Sequence, residues 1–370
     1  MKASELQNLD IAIVGGGYGG AAAAVALSRI GADVHVYEQA TEIREVGAGI
    51  GLRPPTLELF RTWGIFDEMA AVSSPSDCME ILTATGELIV REEWPGIHEY
   101  AQENKTRLIH RGDFVDTFLK LIPEDRIHLG HRMTSVEDKG DRATVTFANG
   151  TEVSADLVIG ADGIRSLVRN QLFSDKPPVF SGSQAFRAVI SADDAYGMVK
   201  DDNFRLYVGD NGAMVYFLPL RHRNQVSFDI TALSNDDTWA PEVTGDYISG
   251  LLDGFDERLQ AIARNLDMAA VTSRGVYDID PIDQWHSDSV VLVGDAAHSM
   301  LHHQGQGANQ AIQDAGGLAD ALVEADSVKD ALVRFQAERM PVAHKLQRIS
   351  RQQPDVSGSV ETAFPETTSL

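Results

Sequence analysis

The segment that most constrains this chain runs from Ile11 to Leu27. The apolar run Ile11-Ala12-Ile13-Val14 leads at once into Gly15-Gly16-Gly17-Tyr18-Gly19-Gly20, and then into the alanine-rich stretch Ala21 to Leu27. A continuous apolar run suits a parallel strand covered on both faces, and the alanines predict a helix. Gly15, Gly17 and Gly20 fall on the G-x-G-x-x-G spacing. In that pattern the first glycine permits the tight turn, the second lets the backbone approach a pyrophosphate, and the third lets helix pack closely on strand. The helix start then turns its unpaired N–H groups and positive dipole end toward phosphate. A second strand, Val34 to Tyr37, ends in Glu38. A carboxylate there accepts from a ribose 2′-OH and repels a 2′-phosphate, so the dinucleotide held is FAD or NAD, not NADP. The bland alternative is a mere tight turn beside a solvated acid; the strand–loop–helix context argues against it.

Two further glycine-punctuated blocks lie far downstream, at 156–170 and 290–318. Each opens with an apolar strand, Leu157-Val158-Ile159 and Val290-Val291-Leu292-Val293. One parallel sheet must therefore be assembled from distant segments. No second G-x-G-x-x-G follows a strand. Between the blocks the period is two: Thr144–Phe147 and Thr151–Ser154 around Asn149-Gly150 read as a hairpin. Phe204–Val208, Met214–Leu218 and Val226–Ile230 read as an antiparallel sheet. Residues 308–350 read as helices interrupted by Pro341, and 351–370 as a polar tail. The expected architecture is α/β: a Rossmann-like dinucleotide domain (1–74, 103–175, 283–350) with an inserted antiparallel β-sheet substrate domain (75–102, 176–282) and C-terminal helices.

Composition removes several classes. The length of 370 residues suits two domains. No apolar run approaches the ~20 residues of a membrane helix, and Met1 to Asp10 lacks the pattern of a secretory signal. With Lys plus Arg at 31 and Asp plus Glu at 55, the net charge is −24. Such a surface repels phosphate backbones and anionic lipid, so no nucleic-acid or membrane partner is expected. The single cysteine, Cys78, makes neither an internal disulfide nor a thiolate metal site; no metal and a cytoplasmic location are expected.

The second block reads Gly160-Ala161-Asp162-Gly163-Ile164-Arg165-Ser166. The third reads Gly294-Asp295-Ala296-Ala297-His298, then Gly305-Gln306-Gly307-Ala308-Asn309. In this order the three blocks resemble the group A FAD-dependent aromatic monooxygenases, the para-hydroxybenzoate hydroxylase superfamily. Within it the chain resembles the small single-component enzymes such as salicylate hydroxylase, 3-hydroxybenzoate 6-hydroxylase and 6-hydroxynicotinate 3-monooxygenase. The resemblance implies bound, non-covalent FAD, with Gly15, Gly17, Gly20 and Glu38 on its ADP part. It places Arg111 on the flavin side, Asp162 and Gly163 in a motif tied to FAD and NAD(P)H, and Asp295 on the ribityl chain. Gly305, Gly307, Ala308 and Asn309 belong to the helix start beneath the isoalloxazine ring. A helix N-terminus there stabilises the negative charge of reduced flavin. The implied reaction uses NADH or NADPH as transient co-substrate and O₂, through a C4a-hydroperoxyflavin, to hydroxylate a phenolic or hydroxypyridine-like ring.

The resemblance also implies Tyr216 and Arg187 as substrate contacts, within an apolar pocket drawn from Phe186, Leu206, Met214, Tyr216, Phe217 and Leu218. A phenolate reacts faster than a phenol, so a base is useful, and His302, His303 and Tyr216 are the candidates. His302 stands where many relatives carry proline, and Arg53-Pro54-Pro55 where they often read Pro-Asn. His298 is expected to be a structural hydrogen-bonder, and Asp295 alternatively a plain helix cap. Competing readings are an FAD-dependent epoxidase or other flavin oxidoreductase of the same fold, and a non-enzymatic dinucleotide-binding protein. A halogenase is disfavoured because no Trp-x-Trp occurs among Trp63, Trp94, Trp239 and Trp285. Oligomeric state stays open.

Overall fold

A computed structural model describes residues 1–43, 47–93 and 105–352. The chain divides into two compact units, one from Met1–Arg44, Val115–Val179 and Tyr277–Leu370, the other from Glu45–Phe114 and Phe180–Val276, as far as these residues are described.

The first unit is built on a five-stranded sheet in the order Val290–Leu292, Leu157–Gly160, Asp10–Val14, Asp33–Tyr37, Ile127–His128. Every pairing is parallel. Its strands are the apolar runs of the three glycine blocks, and Ile11, Ile13, Val158, Ile159, Val291 and Leu292 are buried. Helix Tyr18–Arg29 buries Gly20 through Leu27, and helix Gly307–Glu324 packs against it. The hairpin forms as Ala143–Phe147 with Glu152–Ala155, joined by Met133–Asp138.

One expectation fails at the C-terminal end. Helix Val328–Ser350 runs straight through Pro341, and the helices separate at 325–327 instead. A proline in a helix removes the bond to the carbonyl four residues back. Here that carbonyl belongs to Ala337, and both Ala337 and Pro341 are exposed, so the break falls on the solvent-facing side of the helix. The expected tail, 351–370, lies outside the described residues from 353 onward.

The second unit carries a seven-stranded sheet in the order Thr272–Asp278, Val179–Ser191, Gln225–Leu233, Met214–Leu220, Phe204–Val208, Cys78–Thr83, Leu88–Glu93. Val179–Ser191, Gln225–Leu233, Met214–Leu220 and Phe204–Val208 pair antiparallel in turn, as do Cys78–Thr83 and Leu88–Glu93, whereas Phe204–Val208 meets Cys78–Thr83 in parallel. One face packs Phe186, Phe217, Phe228 and Ile230 against Ile248, Leu252 and Leu259 of the helices Gly245–Leu251 and Glu257–Arg264 and their ends.

The domain boundaries also move. Residues 47–74 and 105–114, expected in the dinucleotide domain, group with the second unit. Gly49–Leu52 and Ser73–Pro75 both pair with Arg107–His110, and the Gly49 amide donates to Ser227 Oγ at 2.8 Å. Sheet pairing, invisible at this sequence distance, decides the membership. Among the described residues no helix is long and apolar enough to cross a membrane.

Candidate active site

The glycine loop has the geometry its spacing predicts. Gly15 adopts φ +105, and a Cβ on it would sit 2.5 Å from the Ala161 carbonyl oxygen. A Cβ on Gly20 would lie 1.9 Å from the Gly15 carbonyl oxygen, so only glycine lets helix and strand approach this closely. A Cβ on Gly17 would meet no protein atom within 4 Å. Gly17 is the N-cap of helix Tyr18–Arg29 and contributes no side-chain bond. Glu38 folds over the loop. Its Oε2 accepts from the Gly16 amide at 2.7 Å and its Oε1 from the Ala40 amide at 2.8 Å. A positioned carboxylate beside an open glycine turn and an uncapped helix start fits the ADP half of FAD.

The third block builds the other part of this cradle. Gly294, at φ +59, precedes the short helix Asp295–His298 and is its N-cap, so Asp295 itself is not the cap. A Cβ on Gly307 would lie 3.8 Å from Asp295 Oδ1, which places the carboxylate beside the start of helix Gly307–Glu324. That helix receives no side-chain bond from its N-cap, Gln306. Gly305 closes the turn at φ +59. Asn309, expected against the cofactor, is fully buried and donates to the Gly305 carbonyl at 3.1 Å, bracing the turn. Ala308 follows Gly307 in the first turn and is half-buried.

Sequence reasoning missed the buried carboxylate that ties Gly294 and His298, at either end of this stretch, to helix Gly307–Glu324. Asp314, with no exposed side-chain surface, accepts from the Gly294 amide at 2.9 Å, meets His298 Nε2 at 2.5 Å, and pairs through Oδ1 with Arg339 Nε at 2.9 Å. Burial works against its charge, but His298 and Arg339 hold the carboxyl below the usual range. His298 is thus the structural hydrogen-bonder expected. Asp162 engages the protein through one carboxylate oxygen, while its Oδ1 is buried without a hydrogen-bond partner among the described residues. Its Oδ2 accepts from the Leu167 and Val168 amides at 2.7 and 3.2 Å, so that oxygen serves helix Leu167–Leu172.

In the second unit, Arg111 begins helix Arg111–Lys120, its amide donating to Ala48 at 3.1 Å. Its side chain lies so close to Gly47 that a Cβ there would sit 2.6 Å from Arg111 Cβ. Arg53 is buried, and burial pushes its guanidinium down to about 9. Period two sorts the expected pocket residues. Phe186 and Phe217 belong to the helix-covered core, whereas Leu206, Met214, Tyr216 and Leu218 line the opposite face beside Leu108.

On that opposite face the register places Arg187 against Asp229 and Asp229 against Tyr216. Asp229 was not foreseen. It alternates with Phe228 and Ile230, so the pattern alone marks only a polar face. Burial, followed by Asp229 and opposed by Arg187, drives the Tyr216 hydroxyl far above its ordinary value. Tyr216 therefore stays protonated at neutral pH and is a hydrogen-bond donor, not the base. The other expected bases, His302 and His303, form a single-turn helix with ring centroids 4.6 Å apart. Both are half-buried, and burial pushes the His303 imidazole down.

Comparison with known proteins agrees with this geometry. A family model described as FAD binding domain covers residues 8–350. The chain belongs to the group A flavoprotein monooxygenases. It is 32% identical over 355 residues to 6-hydroxynicotinate 3-monooxygenase of Pseudomonas fluorescens, covering 93% of this chain and 91% of that enzyme. It is 31% identical to a 3-amino-4-hydroxybenzoate 2-monooxygenase of Streptomyces platensis, covering 92% and 87%. Klebsiella pneumoniae HpxO, solved with FAD and uric acid, superposes with TM-score 0.84 at 25% identity, covering 95% of this chain and 90% of that one. The cofactor of this flavoprotein is FAD.

Proposed function

We propose that the protein hydroxylates a small phenolic or hydroxypyridine-like ring with NAD(P)H and O₂, taking the substrate against the Tyr216 face of the seven-stranded sheet. The observation that carries this reading is the presence, in one chain, of a complete dinucleotide cradle and of an apolar sheet face interrupted by one polar row. Bound FAD supplies the hydride-accepting and O₂-activating chemistry. The chain supplies the rest. Gly15, Gly17, Gly20 and Glu38 hold the ADP part, and Asp295 takes the ribityl hydroxyls. The start of helix Gly307–Glu324 offers N–H groups and a positive dipole end to negative charge. Leu206, Met214 and Leu218 keep water from the ring. Tyr216, held protonated, donates to a ring oxygen or nitrogen. His303 is the proposed proton acceptor for a ring hydroxyl, because burial keeps its imidazole neutral at neutral pH. His302 packs against it. A cytoplasmic location accords with use of NAD(P)H and with the lone, buried Cys78.

The test is a screen of phenols and hydroxypyridines against the holoenzyme, following NADH or NADPH oxidation, hydroxylated product and hydrogen peroxide together. A true substrate accelerates reductant oxidation and yields product with little peroxide. If every ring tried gives peroxide alone, the hydroxylase reading is refuted and another flavin oxidoreductase activity takes its place.

A further inference from the structure

We propose that Asp229 makes the Tyr216 face selective for an uncharged ring bearing an amide or lactam edge, over a ring bearing a carboxylate. This rests on the reading that the substrate lies against that face. The register sets Arg187, Asp229 and Tyr216 side by side on three adjacent strands, with Leu206 next in the same row. The Asp229 carboxylate is fixed. Its Oδ1 accepts from Ser227 Oγ at 3.1 Å, and that hydroxyl in turn accepts from the Gly49 amide at 2.8 Å.

An arginine alone on a substrate face recruits a carboxylate. Arg187 is not alone, because the residue opposite it carries the opposite charge. Arg187 also acts on Asp229 itself, opposing the upward push that burial gives its carboxyl. The row therefore has no net charge, and a second carboxylate entering it meets Asp229 as well as Arg187. Burial raises the Asp229 carboxyl only to about 6, so it remains ionised at neutral pH. An amide or lactam edge suits the row on both counts. Its N–H donates to Asp229, and its C=O accepts from Tyr216 or Arg187. Two like unit charges about 6 Å apart, at an effective dielectric near 20, repel by on the order of 100-fold in binding; that is the share of Asp229 alone, which the attraction of Arg187 offsets in the wild-type row. The relatives named for 6-hydroxynicotinate and 3-amino-4-hydroxybenzoate are named for carboxylated rings.

The experiment titrates flavin-loaded protein with two matched pairs, salicylamide against salicylate and 6-hydroxynicotinamide against 6-hydroxynicotinate. Dissociation constants are read from the flavin absorbance change and from calorimetry. The wild-type protein is expected to prefer the amide in at least one pair. Asp229→Asn keeps an acceptor for Ser227 but loses the charge. It should shift the amide-to-carboxylate ratio toward the carboxylate by on the order of 10–100-fold. Arg187→Gln should shift the ratio the other way, and it decides the matter if the Asn variant does not load flavin. A wild-type preference for the carboxylate in both pairs overturns the proposal, as does a ratio changed by less than about threefold in both variants. Failure of all four probes to bind also overturns it. Normal flavin content with an unchanged ratio overturns this proposal alone, whereas a wild-type chain that takes up no flavin overturns the underlying substrate reading with it.

Discussion

Asp314→Asn tests whether the cradle is held from behind by a buried charge network. The substitution preserves shape but replaces a charged acceptor with a neutral group that presents an amide NH₂ on one side. Asp314 receives the Gly294 amide, His298 Nε2 and Arg339 Nε. Asn retains a single acceptor oxygen, so at least one donor is left facing an N–H, and Arg339, 13% exposed, loses its buried counter-charge. Removing one partner of a buried ion pair costs about 3–5 kcal/mol. With a urea dependence of about 3 kcal/mol/M, the denaturation midpoint should fall by roughly 1–1.7 M. The assay is urea unfolding of the holoenzyme, followed by circular dichroism and flavin fluorescence. The exposed Asp320→Asn serves as control. The sign with pH follows from the depressed carboxyl of Asp314. Its stabilisation is present above the unfolded value of 3.8 and is lost as pH falls through the lower folded value. The gap between wild type and Asp314→Asn should therefore hold from neutrality to about pH 5 and narrow below about pH 4. A midpoint shifted by less than about 0.2 M, or the same fall in the Asp320 control, refutes the network.

Further outcomes follow from the same geometry. Gly17→Ala should leave unfolding within about 0.5 kcal/mol of wild type while weakening FAD binding at least about tenfold, because its methyl meets no protein atom yet occupies the approach to the pyrophosphate. Gly20→Ala, whose methyl meets the Gly15 carbonyl oxygen, should lose both stability and flavin; equal behaviour of the two variants in urea and in flavin titration counts against the assignment. Asp295→Ala should weaken FAD binding by about 1–3 kcal/mol in equilibrium titration, and unchanged affinity removes it from the ribityl chain. His303→Gln should lower hydroxylation by about 10²–10⁴-fold while reductant oxidation continues as peroxide. Because burial lowers the His303 imidazole, wild-type activity should persist below its ordinary value of 6.5 before falling in acid. A fully coupled His303→Gln enzyme transfers the role of base to His302.

Much of the dinucleotide unit is legible because local chemistry encodes it. A turn with φ +105 and two backbone approaches closer than any side chain allows demand Gly15 and Gly20 whatever else surrounds them, whereas Gly17 is open to space and its spacing speaks only of a ligand. Apolar runs announce doubly covered strands, and Asn149-Gly150 announces its hairpin. Glu38 is readable because the strand end fixes where its carboxylate goes. Pro341 misled the reading, since whether a proline breaks a helix depends on whether the break, here at Ala337, falls on the solvent-facing side.

What the sequence by itself determined is the presence of a dinucleotide cradle and the periodicity of a second sheet. What only the tertiary structure decided is which distant residues meet. Asp314 is one polar position in an eighteen-residue helix until that helix packs and sets it against Gly294, His298 and Arg339. Asp229 reads as one of the polar alternations of an ordinary strand. Only strand register places Arg187 and Tyr216 on either side of it. Periodicity states which face a residue takes; it carries no information about the neighbour across the hydrogen bonds, and electrostatic character belongs to that neighbour as much as to the residue itself.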